Sequence, residues 1–210
     1  MIKICHLAEH LNGEMDGVYN HIKMIIKVSN AQKFEHFLCF QGNKKIEDEI
    51  ISLGGKIIIL PELSFKLPFK AFLKFKLLIK ELNIQIVHTH FLKSYIIAGI
   101  TNVILRKSVI YNYHGLFIKN EFYGAFKRLL YKLSHFVICL LRGVQIAVVP
   151  SKESKKQLLT ETKLFPRVDQ YYNGAERYSE TKQIDKDLVE KINVVEEFKF
   201  VFSHIVAICL

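Results

Sequence analysis

Leu82-Asn-Ile-Gln-Ile-Val-His-Thr-His90 decides the fold class of this 210-residue chain. From Ile84 the segment is short, largely apolar and ends on two histidines, with none of the strict polar alternation of a half-solvated strand. Strands that read this way lie in parallel sheets covered on both faces. Ile2–Ala8, Phe34–Phe40, Lys56–Leu60, Ser108–Tyr113 and Val144–Val149 read the same way on either side of it. Between these strands the period becomes helical. Gly17–Ser29 places Val18, Ile22, Ile25 and Ile26 on one face. Lys44–Leu53 is a helix closed by Gly54-Gly55, and Pro61 stops the strand that follows. Pro68–Leu82, Ser94–Leu105 and Phe122–Arg142 are further helices, and Ser151 is a good N-cap for another reaching about Thr160. Arg167–Tyr172 reads as one more strand. The chain is polar from Asn173-Gly174 to Val189 and apolar again over Phe198–Leu210. Such strand–helix alternation predicts an α/β fold, a doubly wound, Rossmann-like parallel sheet.

Composition narrows the function classes. The chain is 50% hydrophobic and 24% charged, enough apolar residues for a sizeable core. Thirty Lys+Arg against 20 Asp+Glu give +10, which favours acidic partners without choosing among them. No nucleic-acid-binding motif accompanies the charge, so nucleic acid is not expected. Cys5, Cys39, Cys139 and Cys209 are too far apart for a Cys-x-x-Cys redox or zinc motif and read as buried thiols in a reducing cytoplasm. The N-terminus does not read as a signal peptide, and no apolar run reaches the ~18 residues of a membrane span.

Ligands of doubly wound sheets bind outside the carboxyl ends of the strands, and the polar chemistry concentrates there. Leu11–Val18, containing Asp16 and Gly17, joins the first strand to the first helix. It lacks G-x-G-x-x-G, so no nicotinamide fingerprint is present, but a glycine beside helix-start amides suits phosphate. His88 and His90, two apart on one strand, point to one face. They are potential metal ligands, and a metal-dependent hydrolase would add His114. A zinc site needs three or four ligands and no suitable Asp follows a strand, so no metal is expected. The packing alternative turns one of the pair inward and sends the other to the cleft. His114-Gly115 follows Val109–Tyr113 and is placed to hydrogen-bond a ligand. Phe65–Leu82 carries Lys66, Lys70, Lys74, Lys76 and Lys80 among Phe and Leu, and Phe122–Arg142 carries Lys127, Arg128 and Lys132. Both read as basic amphipathic helices that suit an anionic membrane surface, or as sheet-covering helices with a lysine face.

Together the strand ends resemble the N-terminal domain of GT-B glycosyltransferases of family 4. The matching pieces are Asp16-Gly17-Val18 with His21, Leu82–His90, Tyr113-His114-Gly115, Val148–Leu158 with Ser151, and Tyr171-Tyr-Asn-Gly-Ala-Glu176 with Asn173. The resemblance implies the acceptor-side half of a two-domain enzyme, with residues 1–178 as that domain and 179–210 as a linker and first strand of a donor domain. It implies sugar transfer from a nucleotide-sugar to a lipid-linked or envelope glycan, with no cofactor besides that donor substrate. Gly17 would approach the diphosphate and His114 the transferring sugar, with Asp16, His90, Gly115, Ser151 and Asn173 around them. The basic helices imply a cytoplasmic protein docked on the inner membrane face. Asp16, Gln85 and Glu176 depart from the family pattern. Phe198–Ser203 resembles the second domain's first strand, but the Gly-Arg-Leu expected after it is absent, as is an E-x7-E motif. The chain alone is therefore expected not to catalyse transfer, to need a separate C-terminal half, and to dissolve poorly. A membrane-associated binding module of the same fold, without catalysis, is the alternative.

Overall fold

A computed structural model describes residues 1–13, 16–29, 31–64, 69–114 and 124–170. Lys66, Gly115, Asn173, the boundary at 178 and the strand expected over 198–210 lie outside the described residues.

Seven strands form one sheet: β1 Ile2–Ala8, β2 Phe34–Phe40, β3 Lys56–Ile59, β4 Ile86–His90, β5 Ser108–Asn112, β6 Ile146–Val149 and β7 Val168–Gln170. Their order is β3-β2-β1-β4-β5-β6-β7, and every pairing is parallel. This is the expected doubly wound α/β sheet. The order reverses between β1 and β4, so the ligand crevice of the fold opens there.

The helices are α1 Gly17–Val28, α2 Lys44–Ser52, α3 Phe69–Glu81, α4 Leu92–Leu105, α5 Ala125–Leu140 and α6 Lys152–Glu161. Period-two alternation sends Cys5, Leu7, Val87, Val109 and Tyr111 to the face covered by α3, α4, α5 and α6. Ile4, Ile86, Ile110 and Ile146 point to the opposite face, beneath α1, where Ile25 meets them. Val18, Tyr19 and Ile22 of α1 pack with Leu38, Phe40 and, from α2, Ile46 and Ile50. Cys5 and Cys39 are free thiols buried in the larger core, as expected, whereas the Cys139 thiol is only half-buried and Cys209 lies outside the described residues.

The boundaries differ from the sequence reading for local reasons. β4 starts at Ile86 because Ile84 still donates its amide to Ile79 O and closes α3, with Asn83 in the left-handed region at φ 51°. α4 starts two residues earlier than its apolar period, at Leu92. β6 starts at Ile146 because Gly143 and Val144 belong to the turn off α5. There Gly143 lies against α4 so closely that a Cβ would stand 2.5 Å from Gly99 O. A 3₁₀ turn, Pro61–Ser64, follows β3 where only a stop was expected. Gln85 joins β1 to β4 at their start, its side chain accepting from the Lys3 amide at 2.6 Å.

Candidate functional site

The crevice between β1 and β4 is built around histidine. Six of the nine histidines gather on the α1 face: His6 on β1, His36 on β2, His88 and His90 on β4, His114 just after β5, and His21 on α1. Isoleucines 4, 86 and 110 fill the layer below, so imidazoles replace aliphatic side chains at the carboxyl ends of the same strands. In register, His6 lies opposite His88. His88 and His90 share a face, as the spacing predicts, with ring centroids 4.4 Å apart. They do not divide between core and cleft: both are buried, at 2% and 0% exposure. His21 of α1 roofs them, its ring 5.9 Å from each.

The contacts are hydrogen bonds between imidazoles. His6 Nε2 and His36 Nδ1 are 3.0 Å apart, and His6 Nδ1 and His88 Nδ1 are 3.2 Å apart. A second pair joins His90 Nδ1 to His114 Nε2 at 3.2 Å. Each such bond needs one protonated and one bare nitrogen, which neutral imidazoles supply. Burial enforces that state. It holds His6, His88 and His90 well below the usual imidazole range, with the neighbouring histidines adding to the effect. Burial also lowers His21 to about 3 and His36 to about 4. His114 is lowered to about 4 by burial, against a smaller upward pull from the Asp16 carboxylate.

Asp16 and Gly17 stand at the start of α1. The Asp16 carboxylate caps the helix, accepting from the amides of Val18 at 2.8 Å and Tyr19 at 3.4 Å, and from Asn12 at 3.1 Å. A Cβ added at Gly17 would meet nothing within 4 Å, so this glycine answers no packing need. Ser151 opens α6 after β6, and its hydroxyl accepts from the Ser154 amide at 3.0 Å. At the switch point His90 is thus bonded to His114, Asp16 acts electrostatically on His114 and Gly17 follows Asp16 in the chain, with Ser151 farther along the same sheet edge. Lys70 and Lys74 lie on α3, Lys74 paired with Glu62. Lys127 and Arg128 lie on α5, Lys127 over the Tyr131 ring at 5.5 Å.

The sequence reading missed several groups. His6 and His36 looked like interior strand residues; only strand order brings them to His88. Phe91, directly after His90, has φ 70° and ψ 159°, a conformation that suits glycine, and its ring lies 6.0 Å from His114. Glu9, at the end of β1, pairs with Lys93 at 3.6 Å; burial raises its carboxyl against the pull of that lysine. Among the described residues, the group able to hold a metal is His6, His88 and His90, not the trio that includes His114.

Comparison with known proteins places this geometry. No curated protein matches the chain. Solved structures match its fold. A glycosyltransferase from Rickettsia africae aligns over 90% of this chain and 48% of its own, at 18% identity and TM-score 0.65. Anabaena HepE in complex with UDP-glucose aligns over 84% and 45%, at 14% identity and TM-score 0.61. A UDP-GlcNAc 2-epimerase from Neisseria meningitidis, bound to UDP-GlcNAc, aligns over 80% and 46%, at 12% identity and TM-score 0.54. The chain therefore spans a little under half the length of these proteins. Transferase and epimerase share the fold, so the fold alone does not choose the reaction. The sequence shows the family: the model of Glycosyltransferase Family 4 matches residues 15–176. On that match the chain belongs to glycosyltransferase family 4.

Proposed function

We propose that this chain is the acceptor-side domain of an enzyme that moves a sugar from a nucleotide-sugar to a lipid-linked or envelope glycan, as in polysaccharide biosynthesis. The observation that carries the reading is the His90–His114 hydrogen bond at the switch point of a family 4 chain, close enough to the helix start at Asp16 and Gly17 for the Asp16 carboxylate to act on His114. The Gly17 amide approaches the donor diphosphate, where α1 presents its positive end. The neutral His114 imidazole hydrogen-bonds the transferring sugar, and His90 acts through it as a positioning residue. Gly115, Ser151 and Asn173 complete the set of donor-side residues. The nucleotide-sugar is the donor substrate, and transfer calls on no cofactor. Residues 1–178 form this domain, and 179–210 lead into a donor-binding second domain, whether joined to it or supplied as a separate half. Stabilising the leaving nucleotide needs that half, so residues 1–210 alone are inactive.

The acceptor lies at a cytoplasmic membrane face. Supporting this, α5 buries only His135 and Ile138 among its residues, leaving Phe126, Leu130 and Leu133 exposed beside Lys127, Arg128 and Lys132. Lys70 and Lys74 of α3 add to the basic charge. A helix that is apolar and basic on its exposed side suits anionic lipid.

The test supplies residues 1–210, with and without a family 4 donor domain, with labelled nucleotide-sugars and extracted envelope lipid. Label should reach the lipid or glycan fraction only when both halves are present. Transfer by residues 1–210 alone would overturn the assignment of roles. Failure of every nucleotide-sugar with both halves present would overturn the reading itself.

A further inference from the structure

We propose that His6, His88 and His90 supply three of the four ligands of a site for a divalent transition metal, of the zinc, cobalt or nickel class, that staples β1 to β4 beneath the crevice. One ring nitrogen from each of the three lies within 4.8 Å of the others. His6 Nδ1 and His88 Nδ1 stand 3.2 Å apart. Zinc–imidazole bonds of about 2.0–2.1 Å in tetrahedral geometry separate ligand nitrogens by about 3.4 Å. The pair therefore already stands near the edge length of such a site.

The donor set fits one class of ion. Three imidazoles without a carboxylate suit zinc, cobalt, nickel or copper and are poor ligands for magnesium or calcium. The neutral ring is the ligating form, and burial keeps all three neutral. Outer hydrogen bonds of the kind that orient ligand imidazoles are present. His36 faces His6 Nε2, leaving His6 Nδ1 on the side of His88. His114 takes His90 Nδ1, while His90 Nε2 is buried with no hydrogen-bond partner among the described residues. An unsatisfied buried nitrogen is destabilising, and a bound ion would remove that cost.

The ligands come from two strands that are far apart in sequence and adjacent only at the switch point. An ion there would lock the sheet where its order reverses. The metal site is tested without sugar transfer, although one of its ligands, His90, also hydrogen-bonds His114.

The test uses residues 1–210 stripped with a strong chelator, dialysed against zinc alone and washed with a weak chelator. Elemental analysis should find about one zinc per chain, and X-ray absorption should show three imidazoles in its shell. His88→Asn and His6→Asn should abolish the stoichiometric ion, while His10→Asn, outside the cluster, should retain it. Each variant is checked for folding by circular dichroism. If the first two do not fold, the ligand count on the unsubstituted chain decides. Sub-stoichiometric zinc, a shell with fewer than three imidazoles, or full occupancy in folded His88→Asn would overturn the proposal.

Discussion

Gly17 and Phe91 flank the crevice and make opposite demands on the backbone. Gly17 is helical and faces open space, so Gly17→Ala should fold at least as stably as the parent. If its amide approaches the donor diphosphate, the same substitution raises KM for the nucleotide-sugar; an unchanged KM would remove that role. Phe91 holds a backbone conformation whose strain is of order 1–3 kcal/mol for a residue with a Cβ. Both Phe91→Ala and Phe91→Gly lose the ring, but only glycine relieves the strain. The glycine variant should therefore match or exceed the alanine variant in urea stability, reversing their usual order. An alanine variant more stable by about 1 kcal/mol would contradict the strain. The positions of Gly17 and His114, though not their roles, are legible in the sequence, because one opens an element with a clear period and the other stands just past one. The conformation of Phe91 is not, because nothing in an apolar residue after a strand announces a positive φ.

At the scale of elements, the pattern of apolar runs gave every described strand and helix to within a few residues. The ends moved where a cap or close contact outweighed periodicity. Gly143 is the clearest case. A methyl group there would meet the Gly99 carbonyl oxygen at 2.5 Å, while Asn102 Nδ2 donates to Gly143 O at 2.9 Å. Gly143→Ala must push α4 from α5 and should cost about 1–3 kcal/mol in chemical denaturation; a neutral result would show that the contact yields freely. α5 itself reads in the sequence as a basic amphipathic helix, suited either to a membrane surface or to covering the sheet. Its sequence did not reveal which side would pack, because apolar residues lie nearly all around it. The exposed Phe126 and Leu133 make membrane docking testable by liposome flotation. Anionic vesicles should float the protein at low salt and lose it at high salt, since screening weakens the lysine contribution. Replacing Phe126 and Leu133 together by serine should abolish the flotation seen at low salt. Equal flotation with neutral vesicles would contradict the electrostatic part.

For the whole molecule, strand order is what the sequence left unread. The motifs put His88, His90 and His114 at strand ends. Only the placement of β1 between β2 and β4 adds His6 and His36, and only α1 over that face adds His21. The result is a fold that buries several neutral imidazoles. Their folded-state values lie below the unfolded value of about 6.5, with His135, hydrogen-bonded to Tyr95 and Thr162 at 2.7 Å each, also lowered by burial to about 4. The unfolded chain therefore binds more protons, and stability is fully present above about pH 6.5 and lost as pH falls toward 4. With chelator present, urea midpoints should drop steeply across that window; a flat profile would contradict the buried-neutral cluster. The central claim, however, is that His114 touches the sugar during transfer. It is tested most directly by comparing kcat for sugar transfer between the complete two-domain enzyme and its His114→Ala form. A folded variant slowed about 10- to 100-fold or more is the predicted result, and undiminished turnover would contradict it.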